Sequence, residues 1–168
     1  MHSSSAEYLR LAIQVGASTA LAVTDATAVT SRRCEMARSL INLINTTAGT
    51  DVAVGGVYPI PQVNRKFGCD IVGNGVGATC KNSGYYRVTG MVSVQAGSAG
   101  VVTAQLYVNG LPYNGAISSL SAASGATVTL PINTVVRVNC CANPAELSVV
   151  MGGVATTTVN ADLTVTKE

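Results

Sequence analysis

Hydrophobic and polar residues alternate with a period of two along most of the second half of the chain. The alternation runs through residues 85–96, 102–108, 134–141, 147–151 and 157–166. A period of two places apolar side chains on one face of a strand and polar side chains on the other. The pattern therefore predicts a series of amphipathic β-strands that pack over a common core.

Turn-forming residues separate these strands at short intervals. Gly97–Gly100 and Asn109–Gly110 favour tight turns, and residues 116–122 and 126–130 are predicted as two further strands. Pro131 has no N–H to donate to a ladder, so it predicts a sheet edge or a loop at that point. Strands that follow one another every 8–15 residues or so, joined by such turns, indicate an antiparallel sandwich or barrel.

The segment from Asp51 to Asn82 is rich in glycine and has little periodicity. Short strands are predicted at residues 52–54 and 57–60. Two more, at 71–72 and 78–80, are predicted to flank the glycine turn at 73–77. The alternating glycines of this turn are not followed by Lys-Ser or Lys-Thr, so a phosphate-binding loop is excluded.

The first 45 residues follow a different pattern, and the chain is predicted to divide into an attachment arm at 1–45 and a β domain at 46–168. Apolar side chains of the arm alternate at Leu9, Leu11, Ile13 and Val15, which suits a strand or an extended segment. Left exposed, this face would invite pairing with another chain. These four residues are therefore the predicted partner-binding site.

A short helix is also predicted within the arm. Ser31 is positioned to cap a helix that continues to about Ile44. The apolar residues that follow helical spacing in this segment are Met36, Leu40, Leu43 and Ile44.

The composition joins a high apolar content to a low charge. Hydrophobic residues make up 48% of the chain and charged residues 11%, and the formal net charge is +2. Such a chain is expected to hide much of its surface against copies of itself or against a partner. The basic pairs Arg32–Arg33 and Arg65–Lys66 form no stripe with interleaved aromatics, so no nucleic-acid partner is predicted.

No membrane partner is predicted either, because no segment reaches the roughly 18–20 uninterrupted apolar residues of a spanning helix. The N-terminus lacks the basic start and apolar stretch of a signal peptide, and Arg10 interrupts its first apolar run. The protein is therefore expected to be made in a cytoplasm.

The five cysteines are expected to be free thiols. Their number is odd, and no Cys-x-x-Cys motif occurs. Buried free cysteines behave as small hydrophobic side chains, and this structural role is favoured over a metal or redox role. The five are Cys34, Cys69, Cys80, Cys140 and Cys141.

The residues that catalysis requires are scarce, and no enzymatic activity, cofactor or metal is predicted. His2 is the single histidine and lies beside the terminus, where packed neighbours cannot readily hold it. The carboxylates are dispersed, and the absence of tryptophan disfavours a sugar-binding platform beside any acidic pair. The eight carboxylates are Glu7, Asp25, Glu35, Asp51, Asp70, Glu146, Asp162 and Glu168.

Several motifs of the predicted strands recur together in a known group of proteins. They are Gly84-Tyr85-Tyr86 within 83–90, Leu106-Tyr107-Val108-Asn109-Gly110, the strand 136–141 that ends in Asn-Cys-Cys, Leu147–Val150, and Val159–Lys167. The region 45–168 resembles TNF/C1q-like jelly rolls. More closely, it resembles small phage structural proteins with this kind of domain.

The resemblance implies an antiparallel jelly-roll sandwich that assembles as a homotrimer. It implies a virion protein of a tailed phage, of the capsid decoration or head-fibre type. The arm would then anchor the trimer to the major capsid protein or to another virion protein.

Two alternatives remain. One is the receptor-binding tip of a tail fibre, with a host-surface glycan as ligand, which the absence of a preceding heptad or repeated shaft disfavours. The other is a small carbohydrate-active enzyme, which the missing histidine and dispersed acids disfavour.

Overall fold

The computed structural model describes residues 38–139 and 144–168, and these residues form two antiparallel β-sheets without a helix. The alternation of apolar and polar residues makes each long strand amphipathic, so each sheet has one face to bury. The strands are β1 (Leu40–Asn45), β2 (Asp51–Val52), β3 (Val57–Tyr58), β4 (Gln62–Phe67), β5 (Ile71–Gly73), β6 (Gly77–Cys80), β7 (Gly84–Ala96), β8 (Gly100–Val108), β9 (Leu111–Ala122), β10 (Thr127–Val138), β11 (Ala145–Gly153) and β12 (Thr156–Lys167).

The strands connect in a jelly-roll topology. Sheet 1 has the order β10-β7-β12-β1-β4, with β2 added beside β12. Sheet 2 has the order β5-β6-β11-β8-β9, with β3 added beside β11. Most neighbouring strands are distant in sequence because the chain crosses repeatedly from one sheet to the other. The predicted antiparallel jelly-roll sandwich is thus confirmed.

The core lies between the two sheets and consists mainly of aliphatic side chains. Leu163 and Val165 of sheet 1 belong to the same buried cluster as Leu106, Leu147 and Met151 of sheet 2. Each is fully buried, and burying a side chain of this size contributes about 1.5–3 kcal/mol. The alternation noted in the sequence is therefore the pattern that closes the sandwich.

The predicted helix is wrong over its last residues, because Leu40–Asn45 forms β1. This strand lies inside sheet 1, paired with β12 on one side and with β4 on the other. It buries Ile41 and Leu43 completely. Residues 40–45 are therefore part of the β domain instead of the arm, and Arg38–Glu168 forms one compact unit. The beginning of the predicted helix lies outside the described residues.

Two further strands differ from the sequence prediction. The strand β4 was not predicted, and all six of its residues are exposed. Residues 127–138 form one continuous strand, β10, although an interruption at Pro131 was predicted. The predicted sheet edge at Pro131 is confirmed, since β10 is the outermost strand of sheet 1. The N–H that Pro131 lacks is therefore not missing from a ladder between central strands.

A buried tyrosine covers an irregularity in β12. The register of β12 against β7 shifts between Thr158 and Asn160, as in a β-bulge. The hydroxyl of the fully buried Tyr58 donates to the backbone oxygen of Asn160 at 3.0 Å and lies 3.3 Å from that of Ser93. Burial raises the pKa of Tyr58 to about 12. The phenol therefore stays neutral and serves as a hydrogen-bond donor to the bulged strand.

The expectation that all cysteines are free is wrong for Cys69, which is disulfide-bonded. Cys80 is a free thiol and is fully buried, as expected of a small hydrophobic side chain. An odd number of cysteines still allows two of them to form a disulfide, so the number of cysteines in the sequence could not exclude this bond.

Cys80 is expected to resist alkylation in the native protein. Burial, reinforced by the negative charge of Asp70 and opposed by Lys167, raises the pKa of the Cys80 thiol from 9.0 to about 12. Iodoacetamide at pH 8 should leave Cys80 unmodified in mass spectra until urea unfolds the chain, since the thiolate is the reactive form. Native labelling at the rate of a free thiol would contradict this burial.

The raised pKa of the Cys80 thiol predicts that the protein loses stability in alkali. The unfolded thiol ionises near pH 9, whereas the folded thiol keeps its proton to about pH 12. The stabilisation is thus complete below pH 9 and is lost as the pH rises through this range. Urea midpoints measured from pH 8 to pH 11 should fall less steeply for Cys80→Val than for the wild type.

Candidate functional site

The face of sheet 1 that points away from the core carries a row of short polar side chains. We call it the outer face of sheet 1. The register aligns Asn42 of β1, Thr164 of β12, Thr89 of β7 and Asn133 of β10 across four adjacent strands. The first three of these are only partly exposed. Short side chains of this kind leave a surface flat enough for another protein to approach closely.

Apolar side chains lie on both sides of this polar row. On one side Leu40 and Val135 lie in the register row that also contains Thr166 and Arg87. On the other side Met91 lies in a row with Ile44, Asp162 and Pro131. Met91 is 51% exposed and Val135 is 37% exposed. Apolar groups so exposed on one sheet face are typical of an interface surface.

Around β1, polar side chains of this face are hydrogen-bonded to one another. The Asn42 amide Nδ2 donates to Asp162 Oδ1 and to Thr164 Oγ1, both at 2.9 Å. Its oxygen Oδ1 accepts from Asn64 Nδ2 at 2.8 Å. A hydrogen-bonded polar group costs much less to bury than an unpaired one. The part of the outer face around β1 can therefore be covered by a protein surface that offers these groups no new partners.

A second apolar surface lies at the edge formed by β9 and β10. Leu111, Ile117 and Leu120 of β9 are between 48% and 70% exposed, with Ile117 and Leu120 on opposite faces of this edge strand. The Tyr113 hydroxyl donates to the backbone oxygen of Val135 at 2.9 Å, so β9 covers part of the free edge of β10. The two surfaces differ in residues and shape. A contact between unlike surfaces of identical subunits can close a ring of three.

A buried polar cluster lies where β1 begins and β12 ends. Lys167 Nζ donates to Asp70 Oδ2 at 2.7 Å, and Asn82 Nδ2 donates to Asp70 Oδ1 at 2.5 Å. The Asp70 side chain has no exposed surface. The Tyr86 hydroxyl donates to the backbone oxygen of Asn82 at 2.7 Å. Every polar side chain of this cluster has a partner, so its geometry indicates a structural role.

No two of the described carboxylates share a hydrogen-bond partner. Asp51 accepts from Thr157 at 2.8 Å, and Glu168 accepts from the Arg87 guanidinium at 2.5 Å. Glu146 lies on exposed β11 surface. No group of His, Cys, Asp and Glu able to hold a metal ion occurs among the described residues. Glu7, Asp25 and Glu35 lie outside them, as does His2.

The predicted partner-binding residues Leu9, Leu11, Ile13 and Val15 also lie outside the described residues. The outer face of sheet 1 was not predicted as a site. Its one sequence signal is Met91, an apolar residue at an outward position of an otherwise alternating strand. In the part of the chain that the structure describes, no helix is long and apolar enough to cross a membrane.

Comparisons with known proteins identify the fold. No family model matches the sequence, and no curated protein matches it. Among solved structures, PRD1 vertex protein P5 is similar, with a TM-score of 0.54 and 14% identity over 77% of this chain and 96% of that chain. Murine APRIL has a TM-score of 0.57 and 13% identity over 79% of this chain and all of the other.

A third similar structure is the globular domain of the zebrafish complement 1qA protein. Its TM-score is 0.52 at 11% identity, over 76% of this chain and 94% of that domain. At such low identities these similarities establish the fold and leave the function open. The β domain is a TNF/C1q-like jelly roll, as its motifs predicted.

Proposed function

We propose that this protein is a non-enzymatic structural virion protein, a homotrimeric capsid decoration or head-fibre protein of a tailed phage. The observation that carries the oligomeric part is the outer face of sheet 1. It combines exposed apolar side chains with a polar cluster around Asn42 that is already hydrogen-bonded. The edge at β9 provides a different apolar surface for the neighbouring subunit, as a closed ring requires.

The virion role is supported by the similarity to a vertex protein with the same fold. The motif resemblance to small phage structural proteins supports it independently, because it comes from sequence and not from shape. The dispersed carboxylates and the buried, fully paired Asp70 favour a structural role over catalysis.

The attachment is proposed to use the residues that precede the β domain. The alternating face of Leu9, Leu11, Ile13 and Val15 is suited to pair with a sheet edge of the major capsid protein or of another virion protein. The β domain begins at Arg38, so a truncation should start there. A truncation starting at Thr46, the first residue of the β domain as predicted from the sequence, would remove β1 from the middle of sheet 1.

Particles that lack the protein test this proposal when they are incubated with two forms of the chain and imaged by electron microscopy. The full chain should add density at fixed positions on the particle. Residues 38–168 should fold and trimerise in solution but should leave the particles undecorated. Decoration by the truncated form as strong as that by the full chain would show that the arm is not the anchor. Failure of the full chain to bind would contradict the virion role.

A further inference from the structure

The lysines and arginines of the β domain are confined to one end of the sandwich. In sheet 1, Arg87 pairs with Thr166 near the end of β12, and Arg65 and Lys66 lie across β1 from Thr164 and Val165. Measured along the 12-residue strand β12, all seven described cations lie level with Thr164 or closer to the C-terminal end of the strand. We call this the basic end. Its cations are Arg38, Arg65, Lys66, Lys81, Arg87, Arg137 and Lys167.

Most of these charges have no partner within the described protein. Ion pairs there engage Lys167 with Asp70 and Arg87 with Glu168. The five that remain, Arg38, Arg65, Lys66, Lys81 and Arg137, are exposed and belong to no ion pair among the described residues. Glu146 is the one other carboxylate at this end, so the basic end carries an excess of four positive charges.

The opposite end of the sandwich has no described lysine or arginine and carries Asp51. Charges that serve solubility alone would be spread over the surface. Here they are concentrated where β1 begins, and Arg38 is continuous with the 37 residues that precede the domain. The chain therefore enters the β domain at the end that bears the unpaired charge.

We propose that the basic end is a second docking surface, which binds an acidic protein surface of the particle. This inference rests on the proposed virion role and extends it. The arm supplies an anchor within one stretch of the chain, and the five unpaired cations orient the β domain against its partner. Arg137 is suited to such a contact, because its guanidinium carbon lies 5.9 Å from the centroid of the Tyr85 ring, and stacked arginine and tyrosine are typical of interface centres.

Binding of the full chain to particles that lack the protein provides the test, with surface plasmon resonance or sedimentation as the measurement. A neutralised variant, R38Q/K66Q/R137Q, removes three exposed cations. A matched relocated variant adds V54K/S98K/A123K at the opposite end to restore the net charge. All six positions are exposed, so both variants should melt near the wild-type temperature.

We expect the neutralised variant to bind at least tenfold more weakly than the wild type, and the relocated variant to remain equally weak. Wild-type binding should weaken as salt rises from 50 to 500 mM, and binding of the neutralised variant, which keeps Arg65 and Lys81, should weaken less steeply.

Equal binding by the wild type and the neutralised variant would overturn the docking surface while leaving the virion role intact. Recovery by the relocated variant would also overturn it, because net charge alone would then suffice. Loss of wild-type binding after nuclease treatment of the particles would identify nucleic acid as the occupant and contradict a protein partner. No binding by the wild type would overturn the proposed virion role, and the docking surface with it.

Discussion

Replacing Asp70 with alanine is expected to lower the free energy of unfolding by about 3–5 kcal/mol. The Asp70 carboxylate is completely buried and accepts hydrogen bonds from Lys167 Nζ at 2.7 Å and Asn82 Nδ2 at 2.5 Å. The substitution would leave the ammonium of Lys167, which is 19% exposed, without its counter-charge. A buried ion without its partner has no interaction that offsets its desolvation. The folded state is therefore destabilised by most of that desolvation energy.

The loss should spread beyond the ion pair because Asp70 joins three segments of the chain. Its backbone N–H donates to Ser39 Oγ at 3.2 Å, just before β1. The backbone oxygen of Ser39 in turn accepts from the N–H of Lys167 at 2.8 Å, at the end of β12. Asn82, in the loop before β7, is the third segment, and its side chain donates to the Asp70 carboxylate. Without the carboxylate, Lys167 at the end of β12 and Asn82 before β7 lose their common partner, and the backbone bond to Ser39 is left as the link to β1.

Urea unfolding of the oxidised protein measures this effect, and two controls locate its cause. Arg87→Ala breaks the exposed pair with Glu168 and should cost about 0–1 kcal/mol. The double variant D70L/K167M removes both charges and should recover much of the loss, since an apolar pair leaves no unpaired ion. A loss below 1 kcal/mol for Asp70→Ala would mean that water or rearrangement satisfies Lys167.

The alternating strands could be predicted because burial on one face dictates their pattern. The strand β1 could not be predicted, because both of its faces carry large apolar residues. Ile41 and Leu43 point into the core, while Leu40 and Ile44 lie partly exposed on the outer face. Apolar residues at 40, 43 and 44 then match helical spacing as well as they match a strand. The strand β4, exposed at every position, has no periodicity and is defined only by its pairing with β1.

The outer face of sheet 1 could not be predicted, because it is assembled from strands that are far apart in sequence. Leu40, Met91 and Val135 come from three strands whose register aligns them only after folding. The basic end was missed for the same reason. The sequence contains just one adjacent basic pair in the β domain, Arg65–Lys66, and the topology gathers the other five cations around it.

Replacing Met91 with aspartate is expected to convert the proposed trimer into monomers. Met91 is 51% exposed in the subunit and lies near the centre of the outer face. Its register partner on β12 is Asp162, so the new carboxylate would lie directly opposite an existing one. Like charges opposite one another on a sheet repel, and burying both against a neighbouring subunit would add a desolvation cost. Three copies of the change would be present in each trimer.

Light scattering on the wild type should report three subunits at micromolar concentration, and the M91D variant should report one. A rise of about 1,000-fold in the trimer dissociation constant corresponds to about 4 kcal/mol, which three disrupted contacts readily reach. Val76→Asp is the matched control, because Val76 is 43% exposed in the turn between β5 and β6, at the edge of sheet 2 opposite to β9 and away from both proposed contact surfaces. It should remain trimeric. A trimeric M91D variant would show that the outer face of sheet 1 is not the interface, and a monomeric wild type would contradict the trimer itself.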